Sequence, residues 1–304
     1  MPSQKHLIVI AGPTAIGKTD LAIKIAQQFK TEIISADSRQ FYREMSIGTA
    51  KPTDEELKAA KHHFINSHSV SDTFTVGDFE EQALELIKQL FQKHDFVVLA
   101  GGSGLFIKAI TEGFDKLPKA DPEIRQDLNL LFETEGLSVL QSRLKELDPT
   151  YYNEVDLNNP QRIIRALEVC ITTGSPFSSF RTKNINAREF NLIKIGLNTE
   201  REVLYQRINT RVDLMIDSEL IEEVKSLLPY RNLNALNTVG YSEIFEYLDE
   251  KISLAEAIES IKQNTRRFAK RQLTWFRKDS DMAWFRPDQL TEILEYIKQK
   301  ADRH

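Results

Sequence analysis

Three short apolar runs mark the first third of the chain, at residues 7–11, 32–35 and 96–100, and each gives way to Gly, Ser or Asp and then to a helical pattern. Runs this short, apolar on successive positions, read as strands buried on both faces of a parallel sheet. Residues 19–29 place Leu21, Ala22, Ile25, Ala26 and Phe29 at a 3.6-residue period, and residues 79–91 repeat it with Ala83, Leu84, Ile87, Leu90 and Phe91. Strands alternating with amphipathic helices predict an α/β fold. Beyond about residue 111 the pattern changes. Residues 121–131, 138–147 and 159–171 read as helices, the first opened by Asp121-Pro122 as cap and first turn, and no strand pattern occurs between about 116 and 190. Residues 192–197 restore a strand, and 200–228, 239–248 and 254–277 are helical. The expected organisation is a parallel-sheet core with helical C-terminal part, residues 1–115 and 191–304, interrupted by an all-helical insertion at 116–190.

Composition narrows the class. The 304 residues are 41% apolar and 28% charged, with a formal net charge of −5, which excludes a wholly basic nucleic-acid sleeve but permits a local patch. A single cysteine, Cys170, excludes a disulfide framework or a Cys-rich zinc module. No apolar run approaches the roughly 18 residues that span a bilayer, so a soluble, cytoplasmic protein with no membrane partner is expected.

Gly12, Pro13, Thr14, Ala15, Ile16, Gly17, Lys18 and Thr19 match the P-loop pattern G-x-x-x-x-G-K-[ST] between a buried strand and a helix. Glycines let consecutive backbone N–H groups turn toward one anion, and the following helix adds the positive end of its dipole. Lys18 supplies a point charge to the terminal phosphate, and the Thr19 hydroxyl is placed to ligate Mg²⁺. Most such loops hold a nucleoside triphosphate, but the geometry grips a diphosphate whatever organic group it carries.

Asp37, beyond the second strand, should project into the same crevice, because ligands of open parallel sheets sit outside the strands' carboxyl ends. Mg²⁺ ligand, general base and plain turn or helix cap all fit it. The loops at 47–52 and 101–104 could line the crevice. His62, His63 and His68 lack ligand partners at metal spacing and read as loop or surface residues. Arg207 and Arg211 share a helix face beside Leu204, Ile208, Val212 and Met215, either snorkelling or reaching into a site. Residues 260–278 hold seven Lys or Arg and no acidic residue, with Phe268, Trp275 and Phe276 interleaved, which suggests an RNA or phosphate-rich surface. Gln161, Arg162 and Arg165, with Arg181 and Lys183, form a second basic edge. A metabolite kinase and a non-catalytic RNA-binding P-loop protein remain open on these residues alone.

The segments GPTAIGKT (12–19), SADSRQFY (35–42), IGTAKP (47–52), GGSGLF (101–106), NPQRIIRALEV (159–169), RINTR (207–211), TVGY (238–241) and TRRFAKRQLTWFRK (265–278) follow one another in order. In these the chain resembles the bacterial tRNA dimethylallyltransferases, also called tRNA isopentenyltransferases. The resemblance implies transfer of a dimethylallyl group from dimethylallyl diphosphate to the exocyclic amine of the adenosine 3′-adjacent to the anticodon, with release of diphosphate. It implies a P-loop that holds the prenyl donor in place of ATP, Mg²⁺ as cofactor, the tRNA anticodon stem-loop as partner, and a monomer. Carried over by position, Asp37 is the general base, Lys18 and Arg211 stabilise the departing diphosphate, and Thr19 is the metal ligand. Contacts with tRNA fall to Asp37, Ser38, Arg39, Gln40, Ser103, Arg125, Gln161, Arg162, Ile163, Ile164 and Arg165. Ser103 stands where threonine is usual, Phe106 where tyrosine is common, and Ser242 where a charged residue is usual.

Overall fold

A computed structural model describes residues 4–115, 117–119, 121–181 and 188–302. The chain divides into two compact units, residues 1–112 with 187–304 and residues 113–186. The junctions fall a few residues before the expected 116 and 190. Each lies in a connecting stretch with no apolar period to locate it.

The larger unit begins with β1 (His6–Ala11), α1 (Lys18–Phe29), β2 (Ile33–Ser35), α2 (Asp54–Ala59), β3 (His62–His63), α3 (Val76–Leu90), β4 (Phe96–Gly101) and α4 (Gly104–Thr111). The smaller unit holds α5 (Pro122–Glu135), α6 (Leu137–Leu147), α7 (Pro149–Glu154) and α8 (Pro160–Thr173). The chain then returns with β5 (Asn191–Leu197), α9 (Arg201–Asp217), α10 (Leu220–Ser226), α11 (Tyr241–Leu248), α12 (Leu254–Phe276), β6 (Ala283–Phe285) and α13 (Leu290–Ala301). Six parallel strands run in the order β3-β2-β4-β1-β5-β6. The central strand β1 is buried at every position. Its alternate side chains feed two apolar layers. Ile8 and Ile10 pack with α1, α9 and α13, and Leu7, Val9 and Ala11 with α3 and α4. Each such buried aliphatic side chain contributes roughly 1.5–3 kcal/mol, and that burial holds the carboxyl ends of β1, β2 and β4 side by side.

Several elements differ from the expected pattern. The helix expected at 200–228 breaks at Glu219, whose φ of 70° is left-handed. The break lets Leu220 and Val224 enter a third apolar cluster with Tyr42, Met45 and Tyr241, a tertiary gain that outweighs helix continuity. His62 and His63 are not loop residues but the edge strand β3. The His63 Nε2 lies 2.6 Å from the Glu32 Oε2, and His62 Nδ1 meets the Ala60 carbonyl at 2.8 Å. Strands of two and three residues such as β3 and β6 are too short for a period-2 signal.

In the smaller unit, Asp121 and Asn159 cap α5 and α8 by accepting backbone N–H groups. Ile163, Ile164, Ala166, Leu167 and Val169 of α8 form its core with Leu128, Leu140 and Leu144.

At the mouth of the sheet the ends of β2 and β4 nearly touch. A Cβ on Gly101 would lie 2.1 Å from the Ala36 carbonyl oxygen, a backbone atom that cannot rotate away. We therefore expect Gly101→Ala to destabilise the protein by ~1–3 kcal/mol, as overpacking does. Chemical denaturation checks it, and an unchanged midpoint would contradict the close approach.

Candidate functional site: an anion cradle facing a carboxylate

The loop between β1 and α1 wraps the amino end of α1. Gly17 caps the helix with φ 103°, and Ala15 is held at φ 64°. A left-handed alanine costs on the order of 1 kcal/mol. That cleft, of about 300 Å³, is lined by residues 14–20 of the loop and helix and by Asp37, Lys51, Glu56, Arg211 and Gln272.

Lys18 donates to the Pro13 carbonyl at 2.8 Å. Burial pulls its ammonium pKa down from 10.5 to about 8, with Asp37 opposing the shift and Arg211 adding to it. Arg211 donates to the Thr14 hydroxyl at 3.4 Å, and Arg207 to the Ile16 carbonyl at 3.2 Å. Both arginines thus reach the P-loop from α9 instead of snorkelling. Burial lowers the Arg211 pKa, while Glu56 and Asp37 oppose the shift.

Asp37 faces this positive ring. Its Oδ1 accepts the backbone N–H groups of Arg39 at 3.0 Å and Gln40 at 3.4 Å. It is therefore a turn-capping residue and a cleft residue at once, and its Oδ2 accepts nothing from the described residues. Ser103 reaches across from the end of β4. Its hydroxyl accepts the Ser38 N–H at 3.0 Å and bonds the Ser38 hydroxyl at 3.2 Å, so serine supplies the hydroxyl that threonine would. Phe106 packs on Phe41 and Phe79 at 5.4 and 5.1 Å, in an aromatic cluster that has no need of a phenol.

The expected RNA contacts divide. Gln40 uses its amide internally, donating to the Thr49 and Ala50 carbonyls at 3.2 and 3.1 Å, and Arg39 reaches the Asn237 carbonyl at 3.4 Å. In the smaller unit, Gln161 and Arg162 are exposed. Arg125 bonds Glu168 and Gln161, and Arg165 bonds the Pro118 carbonyl while pairing with Glu168. Ile163 and Ile164 are fully buried in that unit's core. They offer no surface to RNA, and an apolar pair inside a basic motif keeps its helix packed. Arg181 pairs with Glu154 at 2.6 Å, and Lys183 lies outside the described residues. On α12, Lys262 pairs with Asp213 and Arg266 with Asn209. Arg267, Phe268, Lys270, Arg271, Trp275, Arg277 and Lys278 are exposed.

Two residues that shape the cleft or its flanking loop received no role from the motifs. Gln272 is buried in the cleft wall, and Glu223 of α10 accepts the N–H groups of Ser46, Ile47 and Gly48 and the Tyr241 hydroxyl. For Gln272 a signal existed. The buried stripe of α12 runs Ala257, Ile261, Ala269, Gln272, Phe276, and a polar member of an apolar stripe needs partners. Glu223 carried none, because its partners lie far away in sequence.

For a divalent cation, no three His, Cys, Asp or Glu side chains group together among the described residues. The cleft lining offers the Thr19 hydroxyl and the carboxylates of Asp20, Asp37 and Glu56. Oxygen donors that do not close into a cage suit Mg²⁺, which keeps its waters and binds through substrate phosphates.

Sheet, loop and the partly buried cations Lys18 and Arg211 define a P-loop α/β protein whose cleft suits an anion. A family profile described as IPP transferase matches residues 40–279, and the chain belongs to that family, the tRNA dimethylallyltransferases. It is 58% identical over 298 residues to the tRNA dimethylallyltransferase of Christiangramia forsetii, spanning 98% of this chain and 99% of that one. The tRNA dimethylallyltransferase 1 of Bacteroides thetaiotaomicron is 49% identical across 98% of this chain and 97% of its own length. The full-length tRNA isopentenylpyrophosphate transferase of Bacillus halodurans superposes with a TM-score of 0.72 at 38% identity, covering 99% and 98% of the two chains. A eukaryotic dimethylallyltransferase captured acting on tRNA gives a TM-score of 0.77 at 26% identity, covering 98% of this chain and 78% of that one.

The depressed Lys18 pKa has two consequences of defined sign. From about pH 8 to 10.5 the unfolded chain binds this proton and the folded one does not, so this group makes the unliganded protein more stable as pH rises through that window. A bound anion restores the proton, so diphosphate binding takes up a proton above about pH 8. Relative to Lys18→Ala, wild-type affinity for inorganic diphosphate should fall by up to ~10-fold per pH unit there. Calorimetric titration at several pH values checks this, and a pH-independent affinity ratio would contradict it.

Proposed function

We propose that this chain transfers a dimethylallyl group from dimethylallyl diphosphate to the exocyclic amine of the adenosine 3′-adjacent to the anticodon of tRNA. The observation that carries this reading is the shared cleft: the P-loop, Lys18 and Arg211 line it together with the Asp37 carboxylate. The exposed cationic and aromatic face of α12 reaches the same cleft through Phe268.

An adenine amine is a weak nucleophile, because its lone pair is delocalised into the ring. The reaction therefore depends on an allylic carbon that tolerates positive charge while its carbon–oxygen bond to the diphosphate breaks. The loop N–H groups, Lys18 and Arg211 stabilise the charge where it accumulates on the leaving oxygen. Mg²⁺, held by the Thr19 hydroxyl and the diphosphate, would add Lewis-acid stabilisation of that leaving group. The amine nitrogen forms the new bond to the allylic carbon, and its proton passes to Asp37. The base must leave its stack to reach the cleft, at a cost of a few kcal/mol. The cations of α12 offset this through phosphate contacts and Phe268 through stacking. In the helical unit, Arg125, Gln161, Arg162 and Arg165 are the residues assigned to RNA.

Asp37→Ala should keep tRNA affinity and lose single-turnover transfer by ~10²–10⁴-fold, the usual scale for a general base. Quench-flow with labelled donor measures it, and near-normal turnover would remove Asp37 from the mechanism. Neutralising Arg267 and Arg271 together should weaken tRNA binding and flatten the slope of log affinity against log salt, by about one per lost phosphate contact. Filter binding across a salt series checks this, and an unchanged slope would place the RNA elsewhere.

A further inference from the structure

Gln272 projects from α12 into the back of the cleft and is only 6% exposed. Its Oε1 accepts the Thr14 N–H at 2.8 Å, and its Nε2 donates to the Gly102 carbonyl at 2.8 Å. Reversing the amide would set oxygen against carbonyl oxygen and N–H against N–H, so the two partners fix its orientation. Thr14 belongs to the anion cradle, where its hydroxyl meets Arg211. Gly102 belongs to the opposite wall, one residue before the Ser103 that holds Ser38, the neighbour of Asp37. A Cβ on Gly102 would meet the Gln272 Nε2 at 2.4 Å and the Lys18 Nζ at 3.6 Å. The carboxamide thus fills the gap between the two walls.

We propose that Gln272 is a positioning residue that keeps the leaving-group cradle and the loop bearing the base in register across the cleft. A carboxamide suits this task because one rigid head both accepts and donates. An ionised carboxylate only accepts, an ammonium only donates, and an apolar side chain would leave two polar backbone groups buried without partners. The inference rests on the transferase reading above, since register matters only where two substrates must meet. Donor binding needs the cradle alone, and base activation needs the Asp37 wall alone. Transfer needs the two at a set distance, and a misplacement of about 1 Å costs ~10²-fold in rate.

The test uses the full-length protein with Gln272→Leu and Gln272→Glu, dimethylallyl diphosphate, tRNA and inorganic diphosphate. For Gln272→Leu, the single-turnover transfer rate should fall ~10²-fold, while inorganic diphosphate affinity and the donor KM change by only a few-fold. For Gln272→Glu, transfer relative to wild type should rise as pH falls, because a protonated carboxyl again both donates and accepts. A purely structural role would not produce that acid-dependent recovery. An unchanged rate in Gln272→Leu, a rate loss matched by an equal loss of diphosphate affinity, or a flat pH ratio in Gln272→Glu would each overturn the inference. Absence of transfer in the wild-type protein, with diphosphate still bound, would instead refute the transferase reading. In that case, the spacing of the walls can still be read from a crystal of Gln272→Leu with diphosphate, in which unmoved Thr14 and Gly102 would overturn the positioning role.

Discussion

The site depends on holding positive charge in a place that water cannot fully hydrate. The pKa values of Lys18 and Arg211 are both depressed by burial, and Ala15 of the P-loop is held in the left-handed region. Such an arrangement is unfavourable in isolation, and it persists because the surrounding sheet over-determines it. The apolar layers on the two sides of β1 fix the carboxyl ends of β1, β2 and β4. The loops leaving β2 and β4 are tied to one another, the Ala36 N–H donating to the Ala100 carbonyl at 2.8 Å and the Ser103 N–H to the Ala36 carbonyl at 3.3 Å. An anion in the cleft would offset that cost, since it would supply the negative charge that Lys18 and Arg211 lack.

That storage matches the demands of prenyl transfer to a weak nucleophile. Activating the amine alone would not suffice, because its lone pair is delocalised into the ring. Stabilising the departing diphosphate gains more, and the gain is larger where water is excluded. In the proposed mechanism the carboxylate orients the attacking nitrogen and takes its proton. Two backbone N–H groups hold one oxygen of Asp37, and the other accepts nothing from the described residues.

Much of this was legible in the sequence, and the reasons differ by element. The buried strands declared themselves as short unbroken apolar runs, and α1 and α3 because their apolar positions repeat at the 3.6-residue helical period. The P-loop was legible because its chemistry is contiguous: strand, turn, lysine and helix lie within a few residues of one another. Arg211 was ambiguous because the same spacing serves a snorkelling side chain and a site residue, and only the position of Thr14 in space separates the two. Glu223 was illegible because its role comes from the break at Glu219, a tertiary event with no local marker. Ile163 and Ile164 show the opposite error. A contiguous motif was carried over whole, yet a helix turns through 100° per residue, so neighbours within one motif cannot all face the same partner.

The helix α12 shows how one element can serve several purposes without conflict. A 3.6-residue period gives it independent faces. Ile261, Ala269 and Phe276 face the apolar clusters, Arg267, Lys270 and Arg271 face solvent, and Gln272 lies within the buried stripe. A buried carboxamide is costly unless both ends are satisfied, and here the Thr14 N–H and the Gly102 carbonyl satisfy both, where a leucine would leave those two backbone groups without partners. In the proposed mechanism those groups belong to the cradle for the leaving group and to the wall that carries the base. The same helix presents its cations outward. The element suited to engage a polyanionic acceptor is thus, by covalent continuity, also the element that spaces the reacting halves of the cleft.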